Sequence, residues 1–254
     1  MAYGSKPWYA SSDKWPNASK VSDLTTINGG VKFNTGKVTD MSYMFNGCSN
    51  LTSLDFSNFY TSKVTDMHSM FFYCSSLTSL DLSSFDTSKV TDMGYMFGGC
   101  KSFVTLLDLT SFDTSNVTDM GYMFYYCDKL RSIDISSFNT SKVTDMQYMF
   151  AYCKHFISLN LNSFDTSKVT NMRYMFKDCS NLSSIKCRKG FDCSNVTDMN
   201  NMFINCSEPV DKYSLLHLKN VKSSLIESGS SSNDWVVKNI GGTRGVHYIV
   251  DSVI

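Results

Sequence analysis

The residues best suited to chemistry in this chain are its nine cysteines, seven of which recur every 26 or 27 residues. Thiolates at regular intervals could bind a metal ion or carry electrons. Zinc sites normally use close Cys-x-x-Cys pairs, however, and the sequence contains none. Each recurrent cysteine completes an apolar pattern, where cysteine behaves as a small buried side chain. We therefore predict a structural role for these seven residues: Cys48, Cys74, Cys100, Cys127, Cys153, Cys179 and Cys206.

Two further cysteines lie outside this series. Cys187 replaces a strand leucine and Cys193 replaces a turn threonine, with five residues between them. A disulfide across this gap is one interpretation for an oxidising compartment, and two free buried thiols are the other. Because the total is odd, at least one thiol is expected to be free or paired between chains.

A second chemical candidate is a row of aspartates, one in each of four successive repeats: Asp55, Asp81, Asp108 and Asp134. Stacked carboxylates repel one another, and their oxygens suit Ca²⁺. No calcium-binding loop sequence accompanies them, which favours a solvated face over a metal site. The same repeat position becomes Asn160 and then Lys186, with Arg188 two residues later. We therefore predict a surface that changes from acidic to basic and could steer a charged partner into register.

An internal repeat positions all these residues. The phrase Val-Thr-Asp/Asn-Met begins at seven places, 26 or 27 residues apart: Val38, Val64, Val90, Val117, Val143, Val169 and Val196. Apolar residues then recur at i, i+3, i+4 and i+7, as in the run from Met67 to Cys74, which predicts one face of a short helical segment. Asp66 immediately before this run suits a helix N-cap, where its carboxylate accepts backbone N–H groups.

Each unit continues with the two-residue alternation of a β-strand, in which Leu80 and Leu82 point inward. The following DTSK segment is predicted as a turn whose side chains bond their own backbone. One such unit cannot bury its apolar side alone, but stacking on a copy buries it and pairs the strands in parallel. Since the L-x-x-L-x-L spacing is that of leucine-rich repeats, the predicted fold is an α/β repeat. It is a solenoid with a parallel β-sheet on one face, short helical segments on the other, and a cap at each end.

The full phrase carries a more specific resemblance. VTDMSYMFNGCSNLTSLDFSNF and its copies resemble the 26-residue repeats of BspA-like leucine-rich-repeat surface proteins, over about Leu24 to Ser207. The resemblance implies a secreted or cell-surface protein that takes part in adhesion or host contact. It does not imply an enzyme.

Three segments follow from the extent of the repeat. We predict an N-terminal cap with a degenerate first repeat over 1–37, seven BspA-like repeats over 38–206, and a C-terminal cap or docking module over 207–254. The last segment is expected to contain a helix and then a β-hairpin, formed by the runs WVVKNI and GVHYIV. Aromatic residues are expected to cover the open N-terminal end: Trp8, Tyr9 and Trp15.

The third candidate site is aromatic. One repeat position carries tyrosine in five units: Tyr43, Tyr95, Tyr122, Tyr148 and Tyr174. The two positions before the recurrent cysteine vary between units, and varying positions are free to be used for recognition. Exposed aromatic side chains there would form an amphipathic patch for protein or glycan contact: Phe72, Tyr73, Tyr125, Tyr126 and Tyr152. The alternative is that these rings only stack on one another and shield the backbone.

Composition and motifs restrict the classes of function that this protein is expected to have. The formal net charge is zero, which gives no support to nucleic-acid binding, and no apolar run is long enough to span a membrane. No catalytic motif or phosphate loop is present, so we predict a protein that is not an enzyme and uses no cofactor. The expected function is an extracellular or cell-surface scaffold that binds a protein or glycan of a host or neighbouring cell, although the first residues do not form a signal peptide. The alternative is a receptor-binding or structural protein of a phage-like particle, located in the virion, and the sequence does not fix the oligomeric state.

Overall fold

The structure is a computed structural model that describes residues 26–27, 35–57, 59–104, 108–187, 190–206, 216–228, 235–237, 248–250 and 253–254. The predicted covering residues of the N-terminal end, Trp8, Tyr9 and Trp15, lie outside these ranges. Regular elements in the described ranges are short. The one helix there is a 3₁₀ turn at Ser223–Leu225. The strands are β1 Thr26–Ile27, β2 Ser53–Leu54, β3 Ser158–Asn160, β4 Ser184–Lys186, β5 Phe191–Asp192, β6 Leu216–Lys219, β7 Ile226–Ser228, β8 Trp235–Val237 and β9 Tyr248–Val250.

Successive repeats stack in parallel, as predicted. Strand β1 pairs in parallel with β2, and β3 pairs in parallel with β4, so that Leu159 lies opposite Ile185 one repeat later. Between the strands, the repeat register is kept by single parallel bridges that join the third residues of successive Val-Thr-Asp/Asn phrases, from Asp40 through Asn171 to Asp198. Each repeat therefore forms one rung of the stack.

The predicted helical segments are wrong for the described repeats, which contain consecutive turns instead. Alternate N–H groups donate to the next rung, as Tyr122 does to the Gln147 carbonyl (2.8 Å). The N–H groups between them close turns within the rung, as Tyr125 does onto the Tyr122 carbonyl (2.9 Å). A helix would need every N–H for its own i−4 carbonyl, so inter-rung bonding and helix formation exclude each other.

Two positions in each of these segments have a left-handed backbone. In the fourth rung they are Tyr122 (φ +59°) and Tyr126 (φ +56°), and in the third rung the second position is Gly99 (φ +75°). Left-handed residues end a right-handed helix, and they turn the chain so that residues three and four apart still face inward. The inward pattern was therefore predicted correctly, and its helical interpretation was not.

The core consists of columns of identical side chains. The predicted inward residues of the turn segments and strands are buried, including Met67, Phe71, Leu80 and Leu82. Phenylalanines stack at ring-centroid separations of 5.3 to 5.9 Å, with planes 3° to 10° from parallel. This phenylalanine column comprises Phe45, Phe71, Phe97, Phe124, Phe150, Phe176 and Phe203.

The recurrent cysteines have the predicted structural role. Cys127, for example, is fully buried, and its thiol donates to the Phe97 carbonyl of the preceding rung at 3.2 Å. Burial raises the pKa of the Cys127 thiol to about 12, so it stays protonated as a donor. Cys187 and Cys193 form no disulfide in the structure, where Cys193 is buried and Cys187 is half-buried.

The C-terminal segment extends the stack, and the predicted helix and hairpin are wrong. The apolar stripe that indicated a helix from Leu215 to Leu225 includes β6, which pairs in parallel with β5. The described residues of the two runs expected to form the hairpin pair elsewhere: β8 is antiparallel to β7, and β9 is parallel to β6. Leu218 and Val221 are fully buried and join the core.

Candidate functional site

The candidate site is built on the tyrosine column, one repeat position occupied by Tyr43, Ser69, Tyr95, Tyr122, Tyr148, Tyr174 and Asn201. The ring centroids of Tyr95 and Tyr122 are 4.1 Å apart, with planes 8° from parallel. Those of Tyr122 and Tyr148 are 4.5 Å apart, with planes 11° from parallel. Because neighbouring rings cover each other's faces, the uninterrupted column presents ring edges and hydroxyl groups to the surface.

Serine interrupts this column at Ser69. His68 leans into the gap, with its ring centroid 5.3 Å from that of Tyr43 and 5.5 Å from that of Tyr95, at tilts of 51° and 57°. Its Nδ1 lies 3.2 Å from Asp92 Oδ1, and this hydrogen bond raises the pKa of the imidazole. Gly94 provides the room, because a Cβ at this residue would lie 3.0 Å from His68 Nδ1.

A groove of about 470 Å³ opens at this interruption, and we call it the tyrosine groove. Burial, followed by the neighbouring tyrosines, raises the pKa of Tyr125 to about 12, and burial also raises the pKa values of Tyr122 and Tyr148. Their hydroxyl groups therefore stay neutral, and the groove combines apolar rings with uncharged hydrogen-bonding groups. Its lining comprises Tyr43, His68, Ser69, Phe72, Tyr73, Tyr95, Tyr122, Tyr125 and Tyr148.

The structure places three of the five predicted aromatic site residues in this lining, namely Phe72, Tyr73 and Tyr125. Tyr152 lies next to them, with its ring centroid 5.5 Å from that of Tyr125 and 5.6 Å from that of Tyr126. All five are half-buried, so the expectation of exposed rings is wrong. They pack on one another, and Phe72, Tyr73 and Tyr125 also line the groove, so each of the two interpretations of the sequence applies in part.

Two residues of the groove were missed by sequence reasoning. The four histidines of the sequence share no repeat position, so no repeated pattern pointed to His68, and Ser69 belongs to no motif. The available signal was the departure of MHSMF, in the second repeat, from the M-x-Y-M-F of its neighbours. A missing ring in an otherwise regular column leaves a space, and the groove lies at that space.

A carboxylate column precedes the tyrosine column by three residues in each repeat. Asp66 Oδ1 accepts the N–H of His68 (2.8 Å), so its predicted role as a backbone acceptor is confirmed, in a turn rather than at a helix N-cap. Asp119 accepts the N–H of Gly121 in the same way (2.7 Å). Burial and then repulsion from the neighbouring aspartates raise the pKa of Asp119 to about 6. The column comprises Asp40, Asp66, Asp92, Asp119, Asp145, Asn171 and Asp198.

Replacing Asp119 with asparagine is expected to stabilise the protein at pH 7.5 and to have no such effect at pH 4. The folded state holds the Asp119 proton more tightly than the unfolded chain does, because the pKa of the carboxyl is 3.8 in the unfolded chain. The charged carboxylate therefore lowers stability as the pH rises through about 4 to 6. Allowing for solvent screening at this half-buried site, the gain at pH 7.5 is about 1–2 kcal/mol in the free energy of unfolding, measured by urea denaturation.

The chain provides the precedent for this change. Asn171 occupies the equivalent position two rungs later, where its Oδ1 accepts the N–H of Arg173 at 3.1 Å. Asp81→Asn is the matched control, because hydrogen bonds from Ser83 lower the pKa of that exposed carboxyl and the substitution should not stabilise. Equal stability changes for Asp119→Asn at pH 4 and pH 7.5 would contradict the assignment.

The outer aspartate row forms no part of the groove. Asp81, Asp108 and Asp134 each accept a hydroxyl and a backbone N–H from the residue two positions later, which lowers their pKa values. Lys186 is exposed on β4, and Arg188 lies outside the described residues. No group of three or more acidic, histidine or cysteine residues suited to a metal ion occurs in the part of the chain that the structure describes.

Two comparisons with known proteins find similarity to this chain. A family model described as "Mycoplasma protein of unknown function, DUF285" matches residues 17–132 and 104–216. A solved leucine-rich repeat protein from Bacteroides ovatus is similar at 18% identity and a TM-score of 0.35. The similarity covers 70% of this chain and 51% of that protein, so this chain spans about half its length. No curated protein matches. Within the described ranges, no helix is both long enough and apolar enough to cross a membrane.

Proposed function

This chain belongs to the DUF285 family, described as Mycoplasma protein of unknown function, and we propose that it is a non-enzymatic interaction scaffold. We assign its repeats to the BspA-like leucine-rich-repeat type that the recurrent phrase resembles, and we place the protein outside the cell or at its surface. The partner is a protein or glycan of a host or neighbouring cell, which binds in and around the tyrosine groove.

The observation that carries this proposal is the use of tyrosine where the backbone is left-handed. The φ angle is +59° at Tyr73, +56° at Tyr126 and +63° at Tyr152, all at the position before the recurrent cysteine. This conformation costs an ordinary residue about 1–2 kcal/mol, whereas Gly99 adopts it at the same repeat position without that cost. Tyrosines kept at a strained position are better explained by what their side chains bind than by the needs of the backbone.

The double substitution Tyr125→Ala with Tyr126→Gly is expected to weaken partner binding by at least about tenfold. It removes the Tyr125 ring, which lines the groove, and the Tyr126 ring, which packs against Tyr125. It introduces residues that the chain itself uses at these repeat positions, Ala151 and Gly99. Folding should persist, with a change of less than about 2 kcal/mol in the free energy of unfolding, since relief of backbone strain offsets part of the lost packing. Binding of the full chain would be measured on arrays of extracellular-matrix proteins and of glycans.

Tyr60→Ala is the matched control, because the Tyr60 side chain is 68% exposed and does not line the groove. It should leave both binding and stability unchanged. If the double variant binds as tightly as the unmodified chain, the aromatic surface is not the binding site. If the unmodified chain binds no protein and no glycan on the arrays, the scaffold proposal itself fails.

A further inference from the structure

Serine at Ser69 takes the place of the stacked ring that most repeats carry in this column. Tyr122 has an aromatic neighbour on each side, at 4.1 and 4.5 Å. At the other end of the column, the guanidinium of Arg173 lies 4.8 Å from the ring centroid of Tyr174 and covers it. At Ser69 the tilted ring of His68 lies against Tyr43 and Tyr95, the ring centroid of Phe72 lies 5.1 Å from that of Tyr95 at 79°, and the tyrosine groove opens beside these rings. The rings that line the tyrosine groove can therefore stack against a ligand with a flat apolar face.

The composition of the lining disfavours an anionic ligand and a purely apolar one. Its side chains are phenols, one phenyl ring and one hydroxyl, together with His68, which is already paired with Asp92. An anionic ligand would lose hydration without gaining an opposite charge in the lining. A purely apolar ligand would bury the phenol hydroxyls without hydrogen bonds. A pyranose ring fits both requirements, because it has an apolar C–H face and a rim of neutral hydroxyl groups.

The spacing of the rungs favours a glycan over an extended peptide. Rungs repeat at about 4.8 Å, so the lining from Tyr43 to Tyr148 is about 19 Å long. Side chains on one face of an extended peptide recur at about 6.7 Å, out of step with the rungs, and its backbone N–H and C=O groups would need partners. The distance between successive sugar residues in an extended glycan is close to the distance between successive rungs.

We propose that the tyrosine groove binds a neutral glycan segment of about three or four pyranose residues, which stacks on the tyrosine rings of the lining beside the interruption at Ser69. The inference rests on the proposed scaffold function and names the partner class for its groove.

The test uses two substitutions at Ser69, whose φ of +55° is close to the +60° of Tyr43 and the +55° of Asn201. Ser69→Tyr restores the residue of the neighbouring repeats and fills the gap, whereas Ser69→Asn keeps the gap open. The full chain is applied to an array of neutral, sialylated and sulfated glycans, and calorimetry follows with the best neutral tetrasaccharide. Ser69→Tyr should weaken that binding by at least about tenfold, and Ser69→Asn by less than about threefold.

Tighter binding of acidic than of neutral glycans would overturn the inference, as would unchanged affinity in Ser69→Tyr. Binding to a protein and to no glycan would also overturn it, and the scaffold proposal would stand if Tyr125→Ala with Tyr126→Gly abolished that protein binding. Absence of any protein or glycan partner would overturn both. Thermal unfolding of each variant shows that a loss of binding does not come from a loss of structure.

Discussion

Phe124→Ala is expected to cost about 3–5 kcal/mol in the free energy of unfolding. The Phe124 ring is fully buried, with its centroid 5.8 Å from that of Phe97 and 5.7 Å from that of Phe150. Truncation leaves a cavity between two rungs. The Phe124 backbone cannot move in to fill it, because its N–H donates to the Met149 carbonyl of the next rung at 2.9 Å. Urea denaturation followed by circular dichroism would measure the loss.

Phe124→Leu is the conservative control, since it keeps an apolar side chain in the column and should cost clearly less than the alanine variant. The position lies in the fourth of seven rungs, so the damage affects contacts on both sides. In a stack where each rung contacts mainly its neighbours, a central defect also uncouples the two halves. A loss below about 1 kcal/mol for Phe124→Ala would show that the phenylalanine column is not a main source of stability.

The inward residues could be predicted from the sequence because burial leaves a clear spacing of apolar side chains. The secondary structure of the turn segments could not be predicted in this way. A spacing of i, i+3, i+4 and i+7 fits a helix, and it also fits two successive turns that have left-handed residues at i+2 and i+6. In the segment from Met120 to Cys127, these left-handed residues are Tyr122 and Tyr126. Gly47, Gly99 and Asn205 before the recurrent cysteines were the available signal for that backbone.

The secondary structure of the C-terminal segment was harder to predict, because its strands pair with residues that are distant in the sequence. Leu218 pairs with Phe191 on one side and with Val250 on the other, and the residues between them carry no local sign of this arrangement. Strand preference depends on such neighbours more than helix preference does. A stripe of leucine and valine with helical spacing was therefore misinterpreted.

The candidate site was predicted in its residue types and not in its shape. Aromatic residues at varying positions indicated where to look, and Phe72, Tyr73 and Tyr125 do line the groove. The groove itself depends on the stacking of rings from separate repeats and on the absence of one ring at Ser69. A comparison of repeats position by position can reveal that absence, whereas a search for single motifs cannot.

A column of buried threonines was interpreted from the sequence as local turn chemistry, and the structure shows that it joins neighbouring rungs. The Thr114 hydroxyl donates to the Asn139 carbonyl at 3.0 Å and accepts the Asn139 N–H at 2.8 Å. Thr61 makes the same two bonds to Asp86, at 3.0 and 2.7 Å. One hydroxyl therefore satisfies both backbone groups of a residue one repeat later. The buried column comprises Thr35, Thr61, Thr87, Thr114, Thr140 and Thr166.

Thr114→Val is expected to lower the free energy of unfolding by about 2–3 kcal/mol, although valine has nearly the same shape as threonine. The substitution leaves the packing in place and removes both hydrogen bonds to Asn139. A hydroxyl that is 1% exposed in the folded state has no water to replace it, so the Asn139 N–H and C=O lose their partner. Urea denaturation would give the cost of the two bonds separately from the cost of a cavity.

Thr114→Ser completes the comparison, because serine keeps the hydroxyl and loses only the methyl group, at a cost of about 0.8 kcal/mol. If the hydroxyl bonds hold the rungs together, the stability order is Thr, then Ser, then Val. If burial of the methyl group dominates, valine is at least as stable as serine and the order of those two reverses. The reversed order would mean that the threonines serve as small core residues and that the stack depends on its apolar columns and backbone ladder alone.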